Sequence, residues 1–439
     1  MKKIFGPKYR YYVLGILTLT SMLNIADRLV FSILMEDIKQ EYTMSDTQLA
    51  LLAGFAFALF YATLGIPIAR LADKSNRKNI IAISLTVWST MTALCGAAIG
   101  FWSLFLARMG VGAGEAGGSP PSYSMIADYF KPSERTWAMG IYITGAVLGT
   151  SAGLIVGGAL ADAIGWRWTF VALGVPGVLL GLVLYLTVQE PKRGINDLNG
   201  EQDAKAVEIG ATLKSLMGNK VYVRISLCYA LITTIGYAIA VWLAPLMLRN
   251  YDVSTAMVGL ILGGSFLVGG IPGPIVGGYV TERLVKRNPK WRAWMPAIAI
   301  LVCFAAYCFS LTATTFAGFI GFFIFGYFVF MMPQGPTLSL MQDALKPGER
   351  ALGVSFALFV NNILGQVVGL FVVGYLSDKM MPTFGVKSLN YAIIILSAIA
   401  AVLGCIMYMR TAAAMTGSRW QADLDDPTKT PTDGVVENG

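Results

Sequence analysis

The chain has 439 residues, 56% of them hydrophobic and only 13% charged, with a net charge of +8. Soluble domains carry about 45–50% apolar and about 25% charged residues, so an ordinary soluble fold, a disordered chain and a disulfide-stapled secreted module are excluded. The apolar runs are continuous rather than alternating, which argues against an outer-membrane barrel and leaves enough apolar sequence for about twelve helical spans of ~20 residues each.

In chain order, the apolar segments fall near 11–35, 47–71, 79–99, 101–127, 136–161, 167–189, 221–248, 256–281, 293–311, 315–342, 351–378 and 388–410. The first is too long for a cleaved signal peptide and eleven more follow it. An even count places both termini on one side. The loops on that side carry clusters such as Arg70, Lys74, Arg77 and Lys78, whereas the opposite flanks hold only Lys39, Arg167, Arg249, Lys379 and Lys387. By the positive-inside rule the termini are cytoplasmic. This bias also accounts for the net charge, so nucleic-acid binding is not called for.

The one long polar interruption, 190–220, separates six spans from six. The reading divides the chain into a bundle at 1–190, a linker at 191–219, a second bundle at 220–410 and a polar, disordered tail at 411–439. Within the linker Ala206, Ile209, Leu213 and Leu216 recur at helical spacing among charges. They predict an amphipathic helix over 201–217 on the cytoplasmic membrane face, or a solvated linker helix.

There is no histidine. A His-liganded metal, a Ser–His dyad and a histidine pH switch are therefore ruled out. The five cysteines sit in apolar stretches without metal-type spacing and read as packing residues. GAGEAG at 112–117 fits a dinucleotide fingerprint and GTSAG at 149–153 an esterase elbow. Both lie inside spans, without the strand context either motif needs. No enzyme, cofactor or metal site is expected.

The two halves repeat one another. Ser45 and Asp73 match Ser254 and Glu282 at an offset of 209, each pair 28 residues apart. Pro121, Asp128 and KPSER at 131–135 match Pro336, Asp343 and KPGER at 346–350 at an offset of 215; Gly149, Gly153 and Asp162 match Gly365, Gly369 and Asp378 at 216. Two parallel six-helix repeats are a transporter plan, with the substrate held between the halves near the midplane.

These residues resemble the major facilitator superfamily. ARLADKSNRK at 69–78 is similar to its signature loop, with Ala69 and Asn76 at the two glycine positions; Asn76 is expected to supply the left-handed turn that glycine usually gives. NIADR at 24–28, RMGVGAGEA at 108–116, DYFKPSER at 128–135, GWRW at 165–168 and QEPKRG at 189–194 resemble the Spinster family more narrowly. That resemblance implies an all-α membrane fold of two pseudo-symmetric six-helix bundles in a bacterial inner (cytoplasmic) membrane. It implies alternating-access transport of lysophospholipids or sphingolipid phosphates by a monomer. The anion:cation symporters share the Asp-Arg of the first span and the Arg…Glu of the fourth, so a proton symporter of small organic anions stands as the alternative.

Charges in mid-membrane cost ~2.5–3.5 kcal/mol and mark function. Asp27, Arg28, Arg108 and Glu115 are the deep ones. Arg108 and Glu115, seven residues apart, share a helix face. Asp27 and Glu115 are the candidate proton carriers, since burial favours a neutral carboxyl and a nearby arginine the charged one. Sodium is the alternative ion. Arg28 and Arg108 are the candidate anion holders, phosphate suiting the guanidinium fork. The bland alternative is a pair of structural bridges, Asp27–Arg108 or Arg28–Glu115. Further substrate candidates are Asn24, Tyr61, Tyr123, Thr233, Tyr237, Asn361, Asn362 and Gln366. The aromatic run GFFIFGYFVF at 321–330 suggests an apolar wall for an acyl chain, or a lipid-facing surface.

Pro120, Pro121, Pro333 and Pro336 predict interrupted helices in spans four and ten. Gly145, Gly149, Gly153 and Gly157, with Gly365 and Gly369, predict tight helix crossings. The superfamily resemblance places a cytoplasmic gate at Asp73, capping a helix amino end, and at an Arg77–Asp128 pair, with Arg135 nearby. Glu282, Arg287 and Asp343 are expected to repeat it in the second half.

Overall fold

The computed structural model describes residues 6–193, 209–345 and 349–415. All regular structure among them is helical. Helix α1 is Pro7–Tyr42, started by Pro7 in its first turn and stopped by Thr43 in the left-handed conformation. Its 36 residues rise about 54 Å, and the end remote from Pro7 is the distal end below. Helix α2 is built of Asp46–Ala50, a π-helical turn Leu51–Phe55, and Ala56–Lys74. A reciprocal capping box starts it: Ser45 Oγ accepts from Gln48 N, and Gln48 Oε1 from Ser45 N. Helix α3 is Arg77–Cys95. Its N-cap is Asn76, whose Oδ1 accepts from Asn79 N. Asn76 is extended, with φ −72°, which corrects the expected left-handed turn: the side chain satisfies the helix end, so no reversed backbone is needed.

Helix α4 comes in two pieces, Phe101–Glu115 and Ser119–Tyr129, interrupted just before Pro120 and Pro121. Helices α5 (132–164) and α6 (166–187) are the arms of Pro132–Thr187 on either side of Gly165. At φ 78° Gly165 takes a conformation that side chains resist, and it joins the arms without a loop. Next come a short α7, Ile209–Gly218, and α8, Lys220–Asn250. Helix α9 is Thr255–Gly270 followed by Pro272–Val285; α10 is Trp291–Thr312. Helix α11, Phe316–Met331 then Gln334–Asp343, breaks at Pro333 as α4 breaks before its prolines. Helix α12 joins Arg350–Asn361, a π segment Asn362–Gly369, and Leu370–Phe384; α13 is Ser388–Ala414.

Eight helical runs among the described residues are long and apolar enough to cross a membrane. Two of these, Pro132–Thr187 and Leu352–Ala414, are each long enough for two crossings and contain α5 with α6 and α12 with α13. With α3 and the two-piece α4 the crossings number twelve, as expected. The linker helix is described only from Ile209, so its first half lies outside the described residues, as does the tail beyond 415.

Contacts divide the chain into two compact units that do not follow its two halves. The first is Met1–Ala206, Tyr237–Leu267 and Gly365–Ile393; the second is Val207–Gly236, Val268–Leu364 and Ile394–Gly439. In the first unit glycines set the helix crossings. A Cβ on Gly145, Gly149 or Gly153 would lie 2.4 Å from Thr18 O, 2.2 Å from Met22 O and 2.7 Å from the Ala26 Cα, so α5 lies directly on α1. Without water to drive association, such close backbone packing is what holds membrane helices together. Gly112 seats α4 on the Phe57 carbonyl, and Gly54 seats α2 on the Gln366 carbonyl of α12.

In the second unit the aromatic run of α11 packs inward. Phe319, Phe323, Tyr327 and Phe330 form a ladder that meets Tyr307 of α10. Phe322 and Phe325 point outward and are half exposed. The run at 321–330 is thus divided between helix packing and outer surface, which corrects its reading as an acyl-chain wall. Helix α7 docks through buried Leu216 beside Gly353, and Ser215 Oγ donates to Glu349 at 2.8 Å.

Candidate substrate and ion-coupling site

Four buried helices of the first unit converge on one charged cluster. Arg28 of α1 donates through Nη2 to Glu115 Oε2 of α4 at 2.5 Å. The carboxylate is fully buried, whereas the arginine side chain keeps 16% of its surface. The Arg28 guanidinium lies 4.4 Å from the Phe57 ring centre and 5.3 Å from that of Tyr61, which stack on each other along α2. Asn24 borders Glu115, and Tyr237 borders Arg28. A charged fork held against two aromatic faces, with one edge exposed, can hold an anion above an apolar surface.

Asp27 and Arg108 are sealed more deeply, each 1% exposed. Neither Asp27 oxygen is hydrogen-bonded by an arginine. Its polar neighbours are Glu115 and Arg108 of α4 with Trp88 and Thr92 of α3, whose polar groups lie beside the carboxyl. Arg108 stacks 4.7 Å from the Phe31 ring centre and donates through Nε to the Leu52 carbonyl at 3.3 Å. Of the two structural bridges entertained from sequence, Arg28–Glu115 is formed and Asp27–Arg108 is not hydrogen-bonded.

The other candidates scatter. Tyr123 is 42% exposed and meets Tyr142 edge-on. Gln366 is buried in the π segment of α12. Thr233, Asn361 and Asn362 belong to the second unit, where Thr233 Oγ1 donates to Asn361 Oδ1. That bond turns both toward each other.

At the end of the first unit opposite the distal end, Arg77 is 2% exposed. It donates to Asp128 at 2.6 Å, Ser124 at 2.7 Å, Glu190 at 2.7 Å and the Pro191 carbonyl at 3.0 Å. Sequence reasoning missed Glu190, although it stands in the QEPKRG run that was singled out. In the second unit Asp343 pairs with Arg292 at 2.8 Å. This corrects the expected Arg287. Six more residues between α9 and α10 shift the first turn of α10 to an offset of 215 from that of α3, so Arg292 and Asp343 match Arg77 and Asp128 at one offset. Arg287 and Glu282 are exposed instead. Arg135 closes the end of α4, its Nε donating to the Ala127 and Phe130 carbonyls. The Asp73 side chain lies outside the described residues.

The distal end carries a second network that sequence reasoning did not anticipate. Asp46 is fully buried and accepts from Arg249 Nη1 and Nη2 at 2.8 Å, Lys39 at 2.6 Å and Ser377 at 2.6 Å. Arg249 also pairs with Glu36 at 2.7 Å. Asp378 of α12 accepts from the backbone N–H groups of Asp46 and Thr47, which open α2. Asp162 of α5 accepts from those of Thr255 and Ala256, which open α9. The repeat offsets match these pairs: 162 with 378, and 46 and 47 with 255 and 256. Each acid caps the helix of the other half.

The model of the Major Facilitator Superfamily matches residues 17–370. This chain belongs to that superfamily. It is 30% identical to an MFS-type efflux pump of Mycolicibacterium smegmatis over 95% of both chains. It is 26% identical to the sphingosine-1-phosphate transporter SPNS2 of Danio rerio, over 93% of this chain and 85% of that one. The crystal structure of a bacterial homologue of the human lysosomal transporter Spinster, inward-facing and unoccupied, matches with a TM-score of 0.86 at 28% identity. It covers 94% of this chain and all of the other. The Spinster-like resemblance read from the motifs therefore holds. The chain is a membrane transporter with a small-molecule substrate, not an enzyme.

Proposed function

We propose that this transporter moves an amphiphilic anion, of the lysophospholipid or sphingolipid-phosphate class, by alternating access coupled to protons. The observation that carries the reading is the division of labour in the cluster. Arg28 offers a guanidinium edge over the Phe57 and Tyr61 rings while paired to buried Glu115. Asp27, one residue away, is sealed and takes no arginine partner. A phosphate that takes Arg28 leaves Glu115 without its partner, and a buried carboxylate without a partner takes up a proton. Asp27 is the second carrier. The names of the relatives, one a sphingosine-1-phosphate transporter and one an efflux pump, support a lipid anion and export.

The termini lie in the cytoplasm of a bacterial inner membrane, following the loop charges. Arg77–Asp128–Glu190 then belongs to the closure of the cytoplasmic side, and the distal network closes the opposite one. The protein acts as a monomer.

Proteoliposomes with an imposed pH gradient and an internal pH dye test this. Sphingosine phosphate or lysophospholipid should trigger proton movement in the wild type. Asp27→Asn with Glu115→Gln should abolish it. Movement triggered only by short organic acids would replace the lipid with a small anion, and lipid transport unchanged in the double variant would remove the proton role.

A further inference from the structure

We propose that Arg108 is a positioning residue that makes the shape of α2 depend on the charge of Asp27. This rests on the reading of Asp27 as a proton carrier and extends it to the moving parts.

The first observation is the π turn itself. Leu51–Phe55 interrupts an otherwise regular helix, and such turns are strained insertions that mark functional positions. They persist where a side chain engages the helical ladder. Here that side chain is Arg108, reaching from α4 to the Leu52 carbonyl inside the π turn. Second, the same turn is where α2 meets α12. A Cβ on Gly54 would stand 2.6 Å from the Gln366 carbonyl, which lies in the π segment of α12. Two irregular turns thus face each other at one crossing. Third, the turn begins one helical turn from Asp46, which the distal network grips.

The charged groups around Arg108 are Asp27 and Arg28 of α1 and Glu115 of α4, with Cys95 of α3 beside them. Around Asp27 stand Arg108 and Glu115, with Trp88 and Thr92. Among these, Arg108 is the cation that borders both the Asp27 carboxyl and the α2 carbonyl. In the structure it holds the carbonyl and does not hydrogen-bond to Asp27. A neutral Asp27 leaves the guanidinium free to hold that carbonyl. Once Asp27 ionises, it draws the guanidinium and Leu52 loses its donor. The π turn can then revert to α. Removing one residue from a turn rotates one side of the helix against the other by about 100°. Neither the Gly54–Gln366 crossing nor the grip on Asp46 can follow such a rotation. The proton on Asp27 therefore keeps the distal seam shut, and its loss releases that seam.

Hydrogen exchange of the full-length protein in nanodiscs, followed in peptides covering 46–60 at pH 5 and pH 8, tests the coupling. After correction for intrinsic exchange, protection in the wild type should fall about tenfold at the higher pH, as expected when one charge-assisted hydrogen bond is lost. Asp27→Asn, nearly isosteric and permanently neutral, should stay protected at both. Arg108→Gln should be unprotected at both, and Arg108→Lys, which keeps the charge but loses the fork, should fall between. If Arg108→Gln does not fold, the Asp27→Asn result carries the test alone. Should Asp27→Asn lose proton coupling while α2 keeps wild-type pH dependence, this inference is overturned and the proton reading stands. Should Asp27→Asn keep full proton coupling, both fall.

Discussion

Replacing Asp46 with asparagine isolates the distal network, because the substitution keeps size and removes only charge. In the wild type its carboxylate meets the Arg249 fork at 2.8 Å through two nitrogens, Lys39 at 2.6 Å and the Ser377 hydroxyl at 2.6 Å, in a fully buried position. Breaking a buried ion pair from one side costs about 3–5 kcal/mol. Glu36 still holds Arg249 Nε at 2.7 Å, and Lys39 is 19% exposed, so the lower figure applies. About 3 kcal/mol shifts the closed-to-open balance at this end roughly a hundredfold. A cysteine at Ala50, which is 1% exposed and one turn below Asp46, reports this through its rate of reaction with a membrane-impermeant maleimide. Labelling of Ala50→Cys should quicken by that factor when Asp46→Asn is added. An unchanged rate in a well-folded protein would refute the assignment of Asp46 as the keystone of distal closure.

Gly149→Ala should lower the melting temperature markedly, because its Cβ would stand 2.2 Å from the Met22 carbonyl, and overpacking of this kind costs ~1–3 kcal/mol. Gly15→Ala, with open space around it, should leave the melting temperature within error. Arg77→Gln should impair transport more than Arg292→Gln in a flux assay, since Arg77 is 2% exposed with four acceptors while the Arg292–Asp343 pair is about one-quarter exposed. Phe57→Leu should weaken binding of a lipid phosphate several-fold in a titration, by removing the ring shared by the Arg28 and Arg108 guanidinium groups at 4.4 and 5.6 Å; unaltered affinity would separate that ring from anion binding.

Much of this architecture was legible because the membrane imposes simple rules. Twelve apolar runs and the proline breaks of α4 and α11 follow from span length and missing backbone donors. The glycine ladder of α5 follows from spacing by four. The four deep charges stand out because charge is rare there, and they converge beside Phe57 as one cluster. What escaped the reading depends on register between distant segments. Arg292 replaces Arg287 because an insertion moved one repeat against the other, and only the offset shared with Asp343 shows it. The Asp46–Arg249 network joins residues more than two hundred positions apart, with no local pattern to announce it. Glu190 was in view but lacked an assigned partner. The aromatic run of α11 was visible in composition, yet only geometry reveals which rings turn inward.

The reciprocal caps carry an implication about origin. Asp378 of the second repeat closes a helix of the first, and Asp162 of the first closes the equivalent helix of the second. A contact in which patch meets partner patch in both directions is the signature of an isologous interface between two identical subunits. The distal seam is thus arranged like the dyad of a homodimer whose protomers have become covalently fused. Arg249 breaks that dyad, since the matching position in the first repeat is Gln40. Only the side formed by α2 and α12 carries this clamp. With the clamp on one side only, separation of the seam is expected to begin as a tilt about the α2–α12 side instead of evenly.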